Sequence, residues 1–211
     1  MSGASMAASR SAAGGRLLAE RMQAVLLQVE LRNFTRLSEV LDAERVLQLA
    51  STFFSLAASL LKQHGGEVFS VQNDSLVAAF RGAPAGQCAS QAMSAAQAML
   101  GDFEPLGERW KTEFGFPATI AVGLHVGDTV FGMAGPHGGE QYVVFGDTVS
   151  ITERLVHRAR AGEIVFSAAI AKALGPGVAG LGAQPLPALE IGRRPPMPMY
   201  GVLLETRLDF T

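Results

Sequence analysis

The sequence predicts an α/β (α+β) domain with a ferredoxin-like β-α-β-β-α-β core and further strands added at its C-terminal end. Three observations carry this. Apolar runs of strand length alternate with two long segments of helical periodicity; a polar Asn73-Asp74-Ser75 turn joins two short apolar strands between those segments; and strand-like runs resume after the second helix. With 211 residues, 48% hydrophobic and 17% charged, the chain can bury a sizeable core as one domain.

The elements follow in order. Ala24 to Leu31 (AVLLQVEL) is strand-like. Asp42 is placed to N-cap a long helix through AERVLQLASTFFSLAASLLKQH, closed by Gly65 and Gly66. Glu67 to Val71 and Leu76 to Phe80 flank the Asn73-Asp74-Ser75 turn, whose residue types tolerate left-handed backbone angles, and so form a hairpin with an acid at its tip. Gln87 to Phe114 has Ala, Met and Leu at helical spacing, with a break expected between Gly101 and Gly107 around Pro105; its Met residues are core filler. Thr119 to Val126 is a buried strand, and Val130 to Phe145 a hairpin with Gly135, Pro136, Gly138 and Gly139 at its tip. A helix over Thr148 to Arg160, a strand over Glu163 to Phe166, a short helix and a Gly/Pro-rich tail ending in the strand MYGVLLE complete the chain.

Composition narrows the function classes. A formal net charge of −2 gives no bulk attraction for nucleic acid or for an anionic membrane. The single cysteine, Cys88, excludes an intrachain disulfide framework and reads as a helix core residue. No apolar run reaches the roughly 18 residues needed to span a bilayer, so this segment by itself is not expected in a membrane, and a cytoplasmic setting is expected. Residues 1–15 (MSGASMAASRSAAGG) read as a flexible leader, leaving 16–211 as the folded domain. With the helix-forming segment Arg16 to Gln23, the leader suits the output end of a longer protein. There is no GxxxxGK[ST] phosphate loop, no Cys/His cluster with zinc spacing and no GxSxG nucleophile elbow.

Four strings in order, VELRNFTRLSEVLD, HGGEVFSVQNDSLVAAF, VGLHVGDTVFGMAG and GDTVSITERL, resemble the catalytic domain of class III adenylate and guanylate cyclases, over about Met22 to Glu205. The resemblance implies the class III nucleotidyl cyclase fold, a head-to-tail homodimer with each site built from both subunits, a nucleoside triphosphate substrate, and Mg²⁺ or Mn²⁺ where metal binding is retained. The segment Gly135 to Glu140 resembles the family's arm that reaches over the partner.

Carried over residue by residue, the resemblance is partial. It assigns the two metal carboxylates to Glu30 and Asp74, where the family has Asp at both; Glu extends its carboxylate by about 1.5 Å, one C–C bond, while Mg²⁺ demands near-ideal octahedral geometry. Asn33 stands where the family has Gly before Phe34 and Thr35, in a turn whose amides approach the phosphates, and Asn tolerates the same backbone angles. Asn73 and Ser75 replace two glycines around Asp74. The base-reading positions hold Ser70, for a Lys in adenylate cyclases, and Val143, for an Asp or Thr. Val has no group to hydrogen-bond a base edge, and an unpaired buried edge costs roughly 1–3 kcal/mol. The family's ribose-positioning Asn is Ser150, while the Arg that steadies developing phosphate charge remains as Arg154, one turn on along the same helix face.

The same residues have structural readings. Glu30 can pair with a basic side chain, Asp74 can be a turn acid, and Arg154 can be a solvated helix residue. His125 is expected as a satisfied core histidine, His64 as a helix C-terminal residue, and Asp147 as the N-cap of the helix after GDTV. Two functions compete. The favoured one is a degenerate cyclase-homology domain, a signalling, dimerisation or nucleotide-binding module with cyclase activity lost or very weak. The other is an active cyclase making a cyclic 3′,5′-nucleotide and pyrophosphate with atypical base or metal preference. Completion of a site with a standard cyclase partner is weaker, because neither half of the site is intact.

Overall fold

The computed structural model describes residues 19–203 apart from 116, 137 and 193, so the leader expected over residues 1–15 lies outside the described residues. The elements are β1 (Ala19–Arg32), α1 (Phe34–Val40), α2 (Ala43–Gln63), β2 (Glu67–Gln72), β3 (Ser75–Phe80), α3 (Ala85–Phe114), β4 (Thr119–Ala134), β5 (Gln141–Phe145), α4 (Asp147–Arg158), β6 (Glu163–Ser167), α5 (Ala168–Leu174), a 3-10 helix (Gly175–Leu181), β7 (Gln184–Leu189) and β8 (Met197–Leu203). They build one sheet of order β2-β3-β1-β4-β6-β8-β7, with β5 paired to β4. Its first four strands are antiparallel neighbours in the ferredoxin-like order, β6 joins β4 in parallel, and β8 and β7 extend the sheet. The expected mixed α+β fold is therefore the observed one.

Alternation along the two central strands assigns the faces. Val25, Leu27, Val29 and Leu31 of β1 and Ile120, Val122, Leu124 and Val126 of β4 bury against α2 and α3 with Phe53, Leu61, Phe103 and Trp110. On the other face, Ile151, Leu155 and Val156 of α4 pack on Ala121, Val165, Leu189 and Met199. Helix α4 lies so close to β4 that a Cβ added to Gly123 would stand 2.5 Å from the Val156 nitrogen and 2.7 Å from the Thr152 oxygen. Asp42 caps α2 as expected, its carboxylate accepting from the Arg45 amide at 2.8 Å. His64 closes that helix, with Nδ1 2.8 Å from the Leu60 oxygen. Cys88 is buried within α3.

Three expectations are corrected. Residues 19–23, within the segment expected to be helical, are strand: they pair with β4 from Ala19↔Gly132 to Gln23↔Asp128, and ladder hydrogen bonds outweigh the local helix preference. Residues 16–18 of that segment lie outside the described residues. Helix α3 is unbroken through Pro105. Its proline is exposed, the residue four before it is Gly101 with open space around it, and Phe103, Leu106 and Trp110 anchor the opposite side in the core. That burial outweighs the roughly 3 kcal/mol that an interior proline costs. The N-cap of α4 is Gly146, at φ 135°; Asp147 is the first helical residue, and its carboxylate is held by Arg194. An acid there remains favourable, because it faces the positive end of the helix dipole. Two prolines, Pro185 and Pro187, fall in β7, which a sheet tolerates because β7 is an edge strand. Among the described residues no helix is long and apolar enough to cross a membrane.

Candidate functional site

Glu30 lies near the end of β1, on the face opposite Val29 and Leu31 and hence toward α4. Its side chain is only 14% exposed and both carboxylate oxygens are engaged. Oε1 accepts from Nη1 of Arg32, and Oε2 lies 3.4 Å from Nε2 of His157 on the last turn of α4. Arg32 donates through Nη2 to the carbonyls of Val156 and, at 2.9 Å, of Ala159. The guanidinium thus adds a donor to carbonyls at the negative end of the helix dipole, where the Val156 carbonyl also accepts from the capping Ala159 amide at 3.1 Å. Sequence reasoning missed Arg32 and His157. Arg32 was within reach, since a residue two places on from Glu30 shares its strand face; His157 comes from a distant helix and gave no local signal.

Asp74 occupies the tip of the β2–β3 hairpin beside Asn73, whose φ is 46°. The Leu31 amide donates to the Asp74 carbonyl at 2.8 Å, which ties the tip to β1 one residue past Glu30. The partly buried Asp74 side chain makes no hydrogen bond or ion pair with the described residues. Asn33 adopts φ 65° ahead of α1, and its Nδ2 donates to the Pro117 carbonyl at 2.9 Å. Both asparagines take the left-handed conformation expected of them. Phe34 packs against the core, and Thr35 is exposed.

These residues as placed do not fit a divalent cation at Glu30. Its carboxylate already has the Arg32 guanidinium and the His157 ring as partners. A metal there would have to displace a guanidinium whose charge repels it.

Ser70 lies on β2 and Val143 on β5, strands that are not hydrogen-bonded to each other but meet through the rings of the preceding residues, Phe69 and Tyr142, 5.7 Å apart. Ser70 and Val143 are both partly buried. Arg81, on the connection after β3, lies over this pair of strands. Its Cζ is 4.4 Å from the Phe131 ring centroid, 5.5 Å from that of Phe69 and 5.7 Å from that of Tyr142, and its Nη2 is 2.8 Å from Glu67. Ser150 and Arg154 lie on the exposed side of α4. Arg154 donates through Nη1 to the Glu190 carbonyl at 3.1 Å. No hydrogen bond or ion pair among the described residues joins them to Asp74.

At the other end of α4, Thr148 donates through Oγ1 to the Asp128 carbonyl at 2.7 Å. His125 is buried beneath this end, with Nδ1 2.8 Å from Oγ of Ser167. Burial lowers its pKa to about 4, with the nearby Asp147 charge opposing the shift. The ring is neutral near pH 7 and satisfied within the core, as the sequence suggests.

This strand order, with a hairpin acid tied to the first strand and an arginine-bearing helix across the sheet, is that of a nucleotidyl cyclase domain. The family described as the adenylate and guanylate cyclase catalytic domain matches residues 19–192, and the chain belongs to it. Adenylate cyclase 1 of Rhizobium meliloti (strain 1021) is 29% identical over 145 residues, covering 67% of this chain and 21% of its own length. The chain spans about a fifth of the length of the curated relatives it matches. Among solved structures, the adenylyl cyclase CyaB from P. aeruginosa superimposes with a TM-score of 0.82 at 23% identity, covering 90% of this chain and 98% of that one. The guanylyl cyclase Cya2 gives 0.78, also at 23% identity, over 90% and 97%. At these identities the structural likeness establishes the fold.

Proposed function

We propose that this chain, over residues 16–211, is a degenerate cyclase-homology domain: a cytoplasmic signalling or regulatory module that dimerises, with nucleotide binding retained at most and cyclase activity lost or very weak. What carries the reading is the pair of base-reading positions. Ser70 on β2 and Val143 on β5 offer neither the charged nor the amide groups that distinguish adenine from guanine. Ser150 reaches less far than the Asn that the family places there, and loss of one preorganised transition-state donor typically costs ~10²- to 10³-fold in rate.

The second reading, an active cyclase of unusual base or metal preference, is favoured by the retention of Asp74 and Arg154. Concentrated protein incubated with each of the four ribonucleoside triphosphates and Mn²⁺ separates the two. Mass spectrometry is expected to find no cyclic 3′,5′-nucleotide above the level given by Asp74→Ala. Product that Asp74→Ala abolishes makes the chain an enzyme. Calorimetric titration of the same nucleotides then tests whether binding remains without turnover.

The proposed homodimer is supported by family resemblance and by exposed apolar side chains on β2 and on the β4–β5 hairpin: Val68, Val71, Met133, Tyr142 and Phe145. Clustered exposed apolar surface of this kind marks interaction sites.

A further inference from the structure

At the strand position where the family resemblance implies a metal-binding carboxylate, this chain's carboxylate meets the chain's own arginine and histidine side chains. We propose that the Arg32 guanidinium, with His157 beside it, is a resident counter-ion that takes the place of a divalent metal at Glu30, so that Glu30 fastens β1 to the end of α4 instead of coordinating Mg²⁺ or Mn²⁺. This deepens the reading above and rests on it for the ancestry of the position; the contacts themselves stand on their own.

Both oxygens of Glu30 are used, one by Arg32 and one by His157 at 3.4 Å, and the Glu30 and Arg32 side chains are only 14% and 22% exposed. A guanidinium stays charged at any pH at which the protein folds, so this counter-ion does not leave by deprotonation. Arg32 is also held from its far side by the Val156 and Ala159 carbonyls, so swinging it away to admit a metal would break the helix-end bonds together with the ion pair. A dication entering beside it would meet a like charge at close range in a partly desolvated place. Asp74 alone offers one carboxylate, whereas Mg²⁺ and Mn²⁺ are held by several oxygen ligands in strict geometry. Glu30, Arg32 and the α4 carbonyls therefore form a chain of alternating charge from sheet to helix. It positions α4, the helix that bears Ser150 and Arg154.

Mn²⁺ titrated into the full chain without nucleotide, with free Mn²⁺ followed by its electron paramagnetic resonance signal, tests this. The wild type is expected to show no Mn²⁺ uptake that depends on Glu30, so Glu30→Gln leaves the titration unchanged. Arg32→Gln, whose amide can still donate to an α4 carbonyl, is expected to strengthen uptake by ~10-fold or more, and Arg32→Gln with Asp74→Ala to abolish that gain. In thermal melts Glu30→Gln and Arg32→Gln each lower Tm by about 2–4 °C, and the double variant by less than their sum, because they break one shared link. Wild-type uptake that Glu30→Gln removes overturns the proposal, as does a folded Arg32→Gln variant that gains none. Should Arg32→Gln fail to fold, the Glu30→Gln titration decides alone. Glu30-dependent uptake without any cyclic product sinks this inference and leaves the functional reading standing; Asp74-dependent cyclic product sinks the functional reading.

Discussion

His125 is the residue whose environment makes the sharpest statement about stability. Its pKa, about 4 when folded against an ordinary 6.5, means that between these values the unfolded chain takes up a proton that the native ring refuses. Stability from this group is therefore fully present above pH 6.5, falls as the pH drops through the window, and levels off below about 4. The full shift is worth about 3 kcal/mol. Denaturant melts at pH 7 and pH 4.5 are expected to show His125→Asn losing less stability than wild type over that interval, the carboxylates being common to both; equal losses would mean that the ring titrates normally. At the residue scale the sequence was legible wherever the requirement was local. Asn33 and Asn73 supply left-handed backbone without glycine, His125 falls in an apolar strand run, and Cys88 falls in a segment of helical spacing. Partnership was legible only to the distance of a strand repeat. The pairing of Glu30 with Arg32 lay two residues away, while His157, the α4 carbonyls and the Arg194 contact that relieves Asp147 of capping belong to tertiary structure.

Elements were recovered where periodicity and packing agreed, and misjudged where packing overruled a local signal. The β2–β3 hairpin follows from its polar turn, and α2 from an Asp cap and an amphipathic run. Pro105 and the segment 19–23 show the opposite case: a buried face carries α3 across a proline, and a long partner strand draws residues 19–23 into β1. Two contacts between elements give measurable consequences. Gly123 is where α4 rests on β4, and a methyl there meets backbone atoms that no side-chain rotation can move. Gly123→Ala is expected to destabilise the fold by about 1–3 kcal/mol in urea melts, since α4 must shift. Arg81 clips the β4–β5 hairpin to β2 through three aromatic rings and Glu67. Arg81→Ala is expected to cost about 1–2 kcal/mol and to speed hydrogen exchange of the β5 amides selectively, with α2 and α3 amides unaffected. Uniform acceleration would show instead that β5 unfolds only with the whole domain.

For the whole molecule, the core that carries the fold and the positions the proposed function turns on rest on different residues. The α2/α3 core uses alternate positions of β1 and β4, whereas the substituted Ser70, Val143 and Ser150 lie at the margins of that core or outside it. Under the proposed reading, architecture and assembly persist without base recognition, and assembly is the property to test at this scale. Phe145 is 59% exposed and Val71 48%, on elements that touch through Phe69 and Tyr142, so their solvation is costly in a monomer and would be relieved by the second copy of the proposed dimer. Sedimentation of the wild type is expected to show a concentration-dependent dimer, and Phe145→Ser to weaken it roughly 10-fold or more without lowering the monomer's Tm, because the side chain is not part of the core. Leu47, 67% exposed on α2, is the control: Leu47→Ser leaves association unchanged. A wild type that stays monomeric at every concentration, or a dimer indifferent to Phe145, would place the function of this domain in contacts with other partners.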